Sequence, residues 1–369
     1  MDFWVPVITF VLGFFADKIL DYTYSNVKTI KTKLKVKKAL EKMNTSADAL
    51  GILTIASGFH NFNSKKLRTI SLEDKELYLG FPHGLNGADT IPEGFSEYDK
   101  IDFPIALSGY TAEQTAAMLQ KAKVKIAEEF LARKNGLYFN GKLYGVSYAD
   151  GFSRTADESE QPILKICLFK TDYYTHRVMA EVLHQAKNDL KDLSVHDLNQ
   201  SYAPFRTSLG LSVVVVLSST NQIIMTKRNR YASYSEGIEW IYVSVTETFS
   251  TTDYDGYTRT PDVLFCIQRG LSEELGIPSE FFMDGQINIY DMFYEKTLFQ
   301  DNITASVTLK EEITFDDILP LLAKDKAMEI DNMFLIDNSK TAIESFIKEN
   351  SAQMRPQTIY TLHSHMARL

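Results

Sequence analysis

Two adjacent carboxylates near the end of a predicted helix are the residues of this sequence best suited to chemistry. Glu273 and Glu274 follow Arg269 by about one helical turn. A guanidinium placed four residues before a carboxylate can pair with it on the helix surface. Neighbouring carboxylates supply the oxygen ligands that Mg²⁺ prefers, and Mg²⁺ bridges the oxygens of a phosphate chain. The alternative is that the Glu-Glu pair is simply a solvated helix end.

Several predicted elements must position these residues. The apolar run Leu209 to Leu217 predicts a buried strand, and Gln222 to Arg228 predicts its hairpin partner with a basic end. Trp240 to Thr246 predicts a further strand, which ends at Glu247 and is followed by a polar loop. From Asp262 to Gly276, apolar residues recur at helical spacing, so we expect a helix that stops at the glycine.

This segment resembles the Nudix superfamily, whose signature is G-x5-E-x7-R-E-U-x-E-E-x-G-U, with U apolar. The second half of the signature is matched in order by Arg269, Leu271, Glu273, Glu274, Gly276 and Ile277. The preceding strand is similar to a bacterial branch of the superfamily in which an extended loop follows the strand. That likeness rests on Trp240, Val243, Ser244, Val245 and Glu247.

The resemblance implies a role for each matched residue. Glu273 and Glu274 would be ligands of Mg²⁺ or Mn²⁺, and Asp262 is a candidate third ligand. Glu247 would be a further ligand or the catalytic base, and Arg269 would orient the carboxylates by charge-assisted hydrogen bonds.

Residues on two other elements would complete the nucleotide site. Lys227 and Arg228, at the end of the predicted hairpin, and Glu329 would lie near the phosphates.

The sequence also departs from the signature. Val243 and Ser244 stand where the signature has glycines, and Gly270 replaces the glutamate that follows the arginine. The loop before the helix is long, and Pro261 therefore occupies the position at which the signature has its first glutamate. Its substitutes would be Asp253, Asp255 or Asp262. By the resemblance, Gly270→Glu would return a missing carboxylate.

Three functions follow from this combination of matches and departures. The first is hydrolysis of a nucleoside diphosphate-linked compound, X-P-O-P-Y, with a divalent metal. The second is a catalytically degenerate nucleotide sensor, for example of an ADP-ribose derivative, that signals to a membrane helix. The third is a scaffold that no longer binds nucleotides.

The charge of the chain restricts its partners. A formal net charge of -9 and a pI of about 5.4 argue against a general nucleic-acid binder, which needs a clustered basic face. The expected partner is a nucleotide or another small nucleoside diphosphate compound, and the sequence leaves the oligomeric state open. Cys167 and Cys266 both lie in apolar runs, which predicts buried free thiols.

The N-terminal segment combines an apolar run with a basic flank. Phe3 to Ala16 is apolar apart from Thr9, and a lysine-rich run follows from Lys28 to Lys38. This order favours a single membrane anchor with the main body in the cytoplasm. The alternative is an amphipathic helix that docks on the protein's own core, in a cytoplasmic protein.

The middle of the chain predicts an α+β region without an assigned role. Its elements are a helix over Thr111 to Arg133, a hairpin over Leu137 to Tyr148 turning at Asn140-Gly141, a strand over Ile163 to Phe169 and a helix over Thr171 to Leu190.

The predicted fold is of the α/β (α+β) class and has four parts. An apolar helix and basic arm occupy residues 1–43, and the α+β region occupies residues 44–204. A Nudix-type mixed-sheet α/β/α sandwich occupies residues 205–345, and a tail occupies residues 346–369. The later elements of the sandwich are strands over Ile287 to Phe299, Thr304 to Thr314 and Met333 to Ile336, and a helix over Phe315 to Lys324.

Overall fold

The computed structural model of the protein describes residues 38, 47–56, 68–81, 107–132, 139–152, 163–186, 192–229, 239–257, 260–323 and 326–369. The apolar segment Phe3 to Ala16 lies outside these residues, as does the basic run except for Lys38. Within the described part, no helix combines the length and the apolar character needed to span a membrane.

Groups of strands are separated by helices in a mixed α/β order. The strands are β1 (Ile52–Ala56), β2 (Arg68–Glu76), β3 (Lys142–Phe152), β4 (Ile163–Asp172), β5 (Leu209–Leu217), β6 (Gln222–Arg228), β7 (Ile241–Val243), β8 (Val245–Thr248), β9 (Ile287–Glu295), β10 (Gln300–Leu309) and β11 (Ile330–Asp337). The α-helices are α1 (Ala112–Ala132), α2 (Tyr173–Gln185), α3 (Val195–Leu198), α4 (Val263–Gly270), α5 (Phe315–Ile318), α6 (Lys326–Glu329), α7 (Lys340–Asn350) and α8 (Pro356–Met366). The shorter turns are a π-helical turn (Leu271–Leu275) that continues α4 and 3-10 turns at Ala203–Phe205, Ser279–Phe281, Asp284–Gln286 and Ser351–Gln353.

The larger sheet is built around β5, all nine residues of which are buried. Its strand order is β1-β9-β10-β5-β6-β11, with β8 paired to β5 and β7 paired to β6. Among the strand pairings that the described residues make in the larger sheet, only that of β10 with β5 is parallel. A strand covered on both faces needs an apolar side chain at nearly every position, and β-branched residues favour extended backbone. The valine-rich run Leu209–Leu217 meets both conditions.

Helices cover both faces of this sheet, which gives it three layers. Val213 and Val215 of β5 share a hydrophobic cluster with Ile267 of α4. Val214, on the opposite face, belongs to a second cluster with Ile359 of α8 and residues of α7. Residues that alternate along a strand point to opposite faces, so a single strand supplies both layers of core.

The smaller sheet has the order β2-β4-β3, and its core is continuous with that of the larger sheet. Backbone bonds also join them: Val146 of β3 donates its N–H to the carbonyl of Arg206 at 2.7 Å. The Arg206 guanidinium in turn makes two hydrogen bonds, of 2.9 and 2.6 Å, to the carboxylate of Asp301 in β10. Both side chains are fully buried, so each charge depends on the other.

Most predicted elements are present, although some have other bounds: the helix predicted over Phe315 to Lys324 is confined to Phe315–Ile318, and the strand predicted over Thr304 to Thr314 spans Gln300–Leu309. Two further elements differ in their pairing or continuity. The hairpin over Leu137 to Tyr148 is wrong: β3 runs on to Phe152 and pairs with β4. The Asn140 side chain does not form a hairpin turn and instead accepts the N–H of Tyr174 in α2. The single strand predicted over Trp240 to Thr246 is split in two. The buried Ser244 lies at the break, where its hydroxyl bonds to the backbone of β5 and β6.

The expected boundaries at residues 205 and 345 also differ from the structure. β1, from the earlier region, forms the edge of the larger sheet by pairing with β9. The boundary at 345 falls inside α7, and the segment expected to be a tail contains α8, which packs on the sheet.

Buried beside α8, Glu295 is a carboxyl with an incomplete set of hydrogen bonds. It ends β9 with no exposed surface, and one of its two oxygens has no hydrogen-bond partner. The other oxygen accepts the Thr297 hydroxyl at 2.7 Å. Burial raises the pKa of Glu295 to about 7, against the opposing effects of the Thr297 hydrogen bond and the Arg355 charge.

This pKa predicts a fall in stability as the pH rises. Because the folded pKa lies above the ordinary value of 4.5, the unfolded chain ionises first, and stability is lost between about pH 4.5 and pH 7. The loss reaches roughly 3 kcal/mol above that window. We expect urea unfolding at about pH 5 and about pH 8 to show this loss in the wild type and not in Glu295→Gln. The exposed control Glu344→Gln should behave as the wild type, and equal slopes for all three proteins would contradict the assignment.

Candidate functional site

The candidate site forms where the larger sheet divides between the β5–β8 and β6–β7 pairs. Arg228 ends β6, and Glu247 lies on β8 next to the division. The helix α4 and its π-helical turn pack against the sheet at this point. The helix carries Arg269, and the turn carries Glu273 and Glu274. π-Helical turns are wider than α-helical ones and are frequent at functional sites. This turn ends at Gly276, which has a φ of 76°, and an added Cβ there would lie 2.8 Å from Leu321.

Arg269 connects three carboxylates from three elements. Its Nε and Nη2 donate to the two oxygens of Asp253 at 2.8 and 2.9 Å. Its Nη1 lies 3.1 Å from oxygens of both Glu247 and Glu273, and Nη2 also donates to the carbonyl of Thr248 at 2.8 Å. The guanidinium therefore fixes the loop, the strand and the helix end relative to one another.

The loop that carries Asp253 is braced by the smaller sheet. Tyr144 of β3 donates its N–H to the carbonyl of Phe249 at 3.1 Å, and Thr251 donates its N–H to the carbonyl of Lys142 at 3.2 Å. Within the loop, Asp253 accepts the N–H of Ser250 at 2.8 Å. The middle region of the chain thus holds the loop in the position at which Asp253 meets Arg269.

Glu274 and Arg228 form the second half of the cluster. Glu274 is almost completely buried and accepts the N–H of Thr246 with both carboxylate oxygens at 3.3 Å. Arg228 Nη2 lies 3.5 Å from Glu274 and donates to the Thr246 hydroxyl at 2.6 Å, while Nη1 pairs with Glu329. The guanidinium also lies over the ring of Tyr242, 5.0 Å from its centroid.

Carboxylates outnumber guanidiniums in this partly buried cluster of charged side chains. Its carboxylates are those of Glu247, Asp253, Glu273, Glu274 and Glu329, and its guanidiniums are those of Arg228 and Arg269. Burial raises the pKa of Glu274 well above its ordinary range, and the nearby Glu247 and Glu329 charges act in the same direction. Burial also raises the pKa of Glu247, although Arg269 opposes this shift. A carboxylate with such surroundings favours either a proton or an added cation.

The structure brings together six of the residues selected from the sequence. These are Arg228, Glu247, Arg269, Glu273, Glu274 and Glu329. Lys227 is not among them: it pairs with Glu239 at 2.6 Å, and neighbours along a strand face opposite sides.

Asp262 serves as the N-cap of α4. It accepts the N–H of Leu264 at 2.8 Å, about 15 Å along the helix axis from Glu273. Asp253 instead reaches the cluster, as the buried partner of Arg269 and not as a free carboxylate.

Sequence reasoning did not select Thr246 or Tyr242. Both contact Arg228, and Thr246 also bonds to Glu274 through its backbone. Their positions between Trp240 and Glu247 are the only signal for them in the sequence.

The carboxylates of the cluster are turned toward the guanidiniums. Among the described residues, no three or more His, Cys, Asp and Glu side chains are grouped as a ready metal site. No protein-family model matches the chain, and no curated protein matches it either.

Arg269→Lys tests how far the site depends on the planar guanidinium. A lysine ammonium keeps the charge and cannot span both oxygens of Asp253 while also reaching Glu247. We expect the free energy of unfolding to fall by about 2–4 kcal/mol, because buried carboxylates lose their hydrogen bonds. Denaturant unfolding would measure this loss. The control is Arg177→Lys, which alters a pair with Glu129 and should cost less than about 1 kcal/mol. Similar losses in the two variants would show that Arg269 does not organise the site.

Proposed function

We propose that the C-terminal part of the chain is a divergent Nudix-type domain that binds a nucleoside diphosphate-linked compound, X-P-O-P-Y, with a divalent metal and hydrolyses it. The observation that carries the proposal is the convergence of Glu247, Glu273 and Glu274 with Arg269 at the end of α4. The three-layer arrangement and the order of hairpin, strand, loop and helix are consistent with this proposal.

Mg²⁺ or Mn²⁺ suits the cluster by its charge and by its oxygen donors. We assign Glu273 and Glu274 as its ligands, with Glu247 beside them. Asp262 is left out of this set because it caps α4. A bound divalent ion polarises a phosphate oxygen and lowers the pKa of water. Because the carboxylates now contact Arg228 and Arg269, an ion would compete with the guanidiniums for them.

The chain's own side chains supply the remaining functions. Glu247, whose pKa is raised by burial, is a stronger base than a free glutamate and would accept the proton of a water that attacks one phosphorus of X-P-O-P-Y. The P–O bond from that phosphorus to the bridging oxygen would break, and the other phosphate would leave with the bridging oxygen. Arg228 neutralises phosphate charge at the division of the sheet. Arg269 positions Glu247 and Glu273 and does not itself contact the substrate.

The same contacts favour a second candidate function, binding without hydrolysis. Each glutamate of the cluster is already engaged by a guanidinium, and Gly270 carries no carboxylate. Such a site would act as a nucleotide sensor. One experiment separates the hydrolase from the sensor. Purified full-length protein is incubated with Mg²⁺ and ADP-ribose, a dinucleoside polyphosphate or a nucleotide sugar, and each mixture is scored for cleavage and for a rise in melting temperature.

The double variant Glu273→Gln/Glu274→Gln tests the metal assignment. Glutamine keeps the size and most hydrogen bonding of glutamate and removes the charge that would hold a cation. We expect the Mg²⁺-dependent part of the melting-temperature shift with ADP-ribose to disappear. The melting temperature without ligand should fall, because Arg228 and Arg269 each lose a charged partner, so each shift is measured against the ligand-free value of the same variant.

A matched control is available in the exposed pair Glu311 and Glu312. Glu311→Gln/Glu312→Gln removes the same charge elsewhere and should leave the ligand response unchanged. Persistence of the full Mg²⁺ dependence in Glu273→Gln/Glu274→Gln would refute the metal assignment. Loss of binding without any cleavage by the parent protein would favour the sensor.

We further propose that Phe3 to Ala16 anchors the protein in the cell membrane, with the main body on the cytoplasmic side. The basic residues that follow would contact anionic lipid. Full-length protein should float with anionic liposomes, and Phe10→Lys/Phe14→Lys should abolish flotation. The control Phe139→Lys alters an exposed phenylalanine outside the segment and should float as the wild type. Wild-type protein that remains soluble without lipid would exclude the anchor.

A further inference from the structure

The distance between strand β8 and helix α4 is set at Gly270. A Cβ added to this glycine would lie 2.7 Å from Cγ1 of Val245 and 3.2 Å from Cβ of Glu247. Contacts below about 3 Å force one group to move, and Val245 is a fully buried, β-branched residue with little freedom to do so. Residue 270 therefore has room for a hydrogen atom and for no side chain.

Helix propensity does not explain a glycine at this position. Glycine in a helix interior costs about 0.5–1 kcal/mol relative to alanine, and the backbone here is right-handed helical, which any residue adopts. The close approach of β8 is the feature that requires it. Val245 and Glu247 lie two residues apart on one strand, so both side chains point toward α4.

The approach of β8 brings a carboxylate into the cluster. Cγ of Glu247 would lie 3.5 Å from the added Cβ of residue 270, and Glu247 reaches Arg269 at 3.1 Å. The side chain of Glu247 thus lies directly over the position from which a longer residue 270 would project.

We infer that Gly270 and Glu247 are a matched pair, in which the missing side chain on the helix admits the carboxylate of the strand to the site. Glu247 then supplies from β8 the carboxylate that α4 lacks at position 270, and Gly270 acts as a positioning residue. The ligand in this inference rests on the proposed function, whereas the pairing of Gly270 with Glu247 rests on the structure alone. It reverses the expectation from the resemblance: Gly270→Glu displaces β8 and impairs the site.

A ligand-free mutant cycle tests the pairing. Glu247→Gln should lower the melting temperature of the full-length protein. In the Gly270→Ala background, the same substitution should lower the melting temperature by less than about half as much. The reason is that alanine has already moved Glu247 away from Arg269. Gly285→Ala is the control background, because an added Cβ there meets nothing within 4 Å. Equal shifts in both backgrounds would overturn the inference.

Ligand binding provides the second readout, with ADP-ribose and Mg²⁺ as the probe. We expect Gly270→Ala and Glu247→Gln each to weaken binding about tenfold, and the double variant to be no more than about twofold weaker than either. Val245→Ala/Gly270→Ala makes room for the new methyl group and should recover most of the affinity, with Val245→Ala alone as its control. The inference would be overturned if the double variant lost affinity by the product of the two single losses, or if Gly270→Glu bound the probe more tightly than the wild type.

The two readouts separate this inference from the proposed function. If the wild type binds none of the nucleoside diphosphate probes, the proposed function fails, and the melting-temperature cycle still decides whether Gly270 positions Glu247. If Gly270→Ala does not fold, Val245→Ala/Gly270→Ala relieves the contact with Val245 and should fold, and Glu247→Gln should then lower its melting temperature as much as in the wild type. A shift below about half of the wild-type value, or failure of this variant to fold, would overturn the inference.

Discussion

The contacts of Arg269 are the constraint on which the site depends. Asp253 is nearly inaccessible to water, and a buried carboxylate without a partner costs several kcal/mol. The guanidinium removes that cost and simultaneously fixes Glu247 and Glu273. The smaller sheet contributes to the same arrangement from outside, since β3 holds the loop that presents Asp253. The middle region therefore has a mechanical role: without it, the loop would lose its backbone partners.

The division of the larger sheet creates the space in which these charges meet. Ser244 replaces missing backbone pairing at the break, donating to the carbonyl of Ile224 and accepting the N–H of Val215. Downstream of it, the N–H of Thr246 bonds to the carboxylate of Glu274 and not to a strand. A glycine at position 244 would offer no hydroxyl for this purpose. The serine at this position thus has a structural explanation of its own.

Local patterns predicted the central elements, and tertiary contacts decided the rest. The bounds of β5 and β6 follow from an apolar run and a polar turn, and the i,i+4 spacing of Arg269 and Glu273 predicted their pairing. An aspartate before a helix can serve as a cap or as a ligand, and the sequence does not distinguish the two roles for Asp262; its hydrogen bond with the N–H of Leu264 does.

The helix α8 was missed for a different reason. Its buried residues mix apolar and polar side chains: Ile359 and Leu362 join the second hydrophobic cluster, whereas His365 hydrogen-bonds to the Tyr290 hydroxyl and Ser364 to Asp291. The apolar periodicity that reveals most amphipathic helices is correspondingly weak in this one.

The position of β1 has a consequence for the order in which the protein can fold during synthesis. Ile52 lies opposite Glu295, so the strand waits for a partner roughly 240 residues further along the chain. At about 5–20 residues per second, the ribosome needs on the order of tens of seconds to supply it. The smaller sheet can form only in the later part of that interval, after its central strand β4 has emerged, and β1 remains without its strand partner until β9 follows. A nascent chain with an unpaired strand is a substrate for chaperones that bind extended segments, and the fold closes only after β9 has emerged.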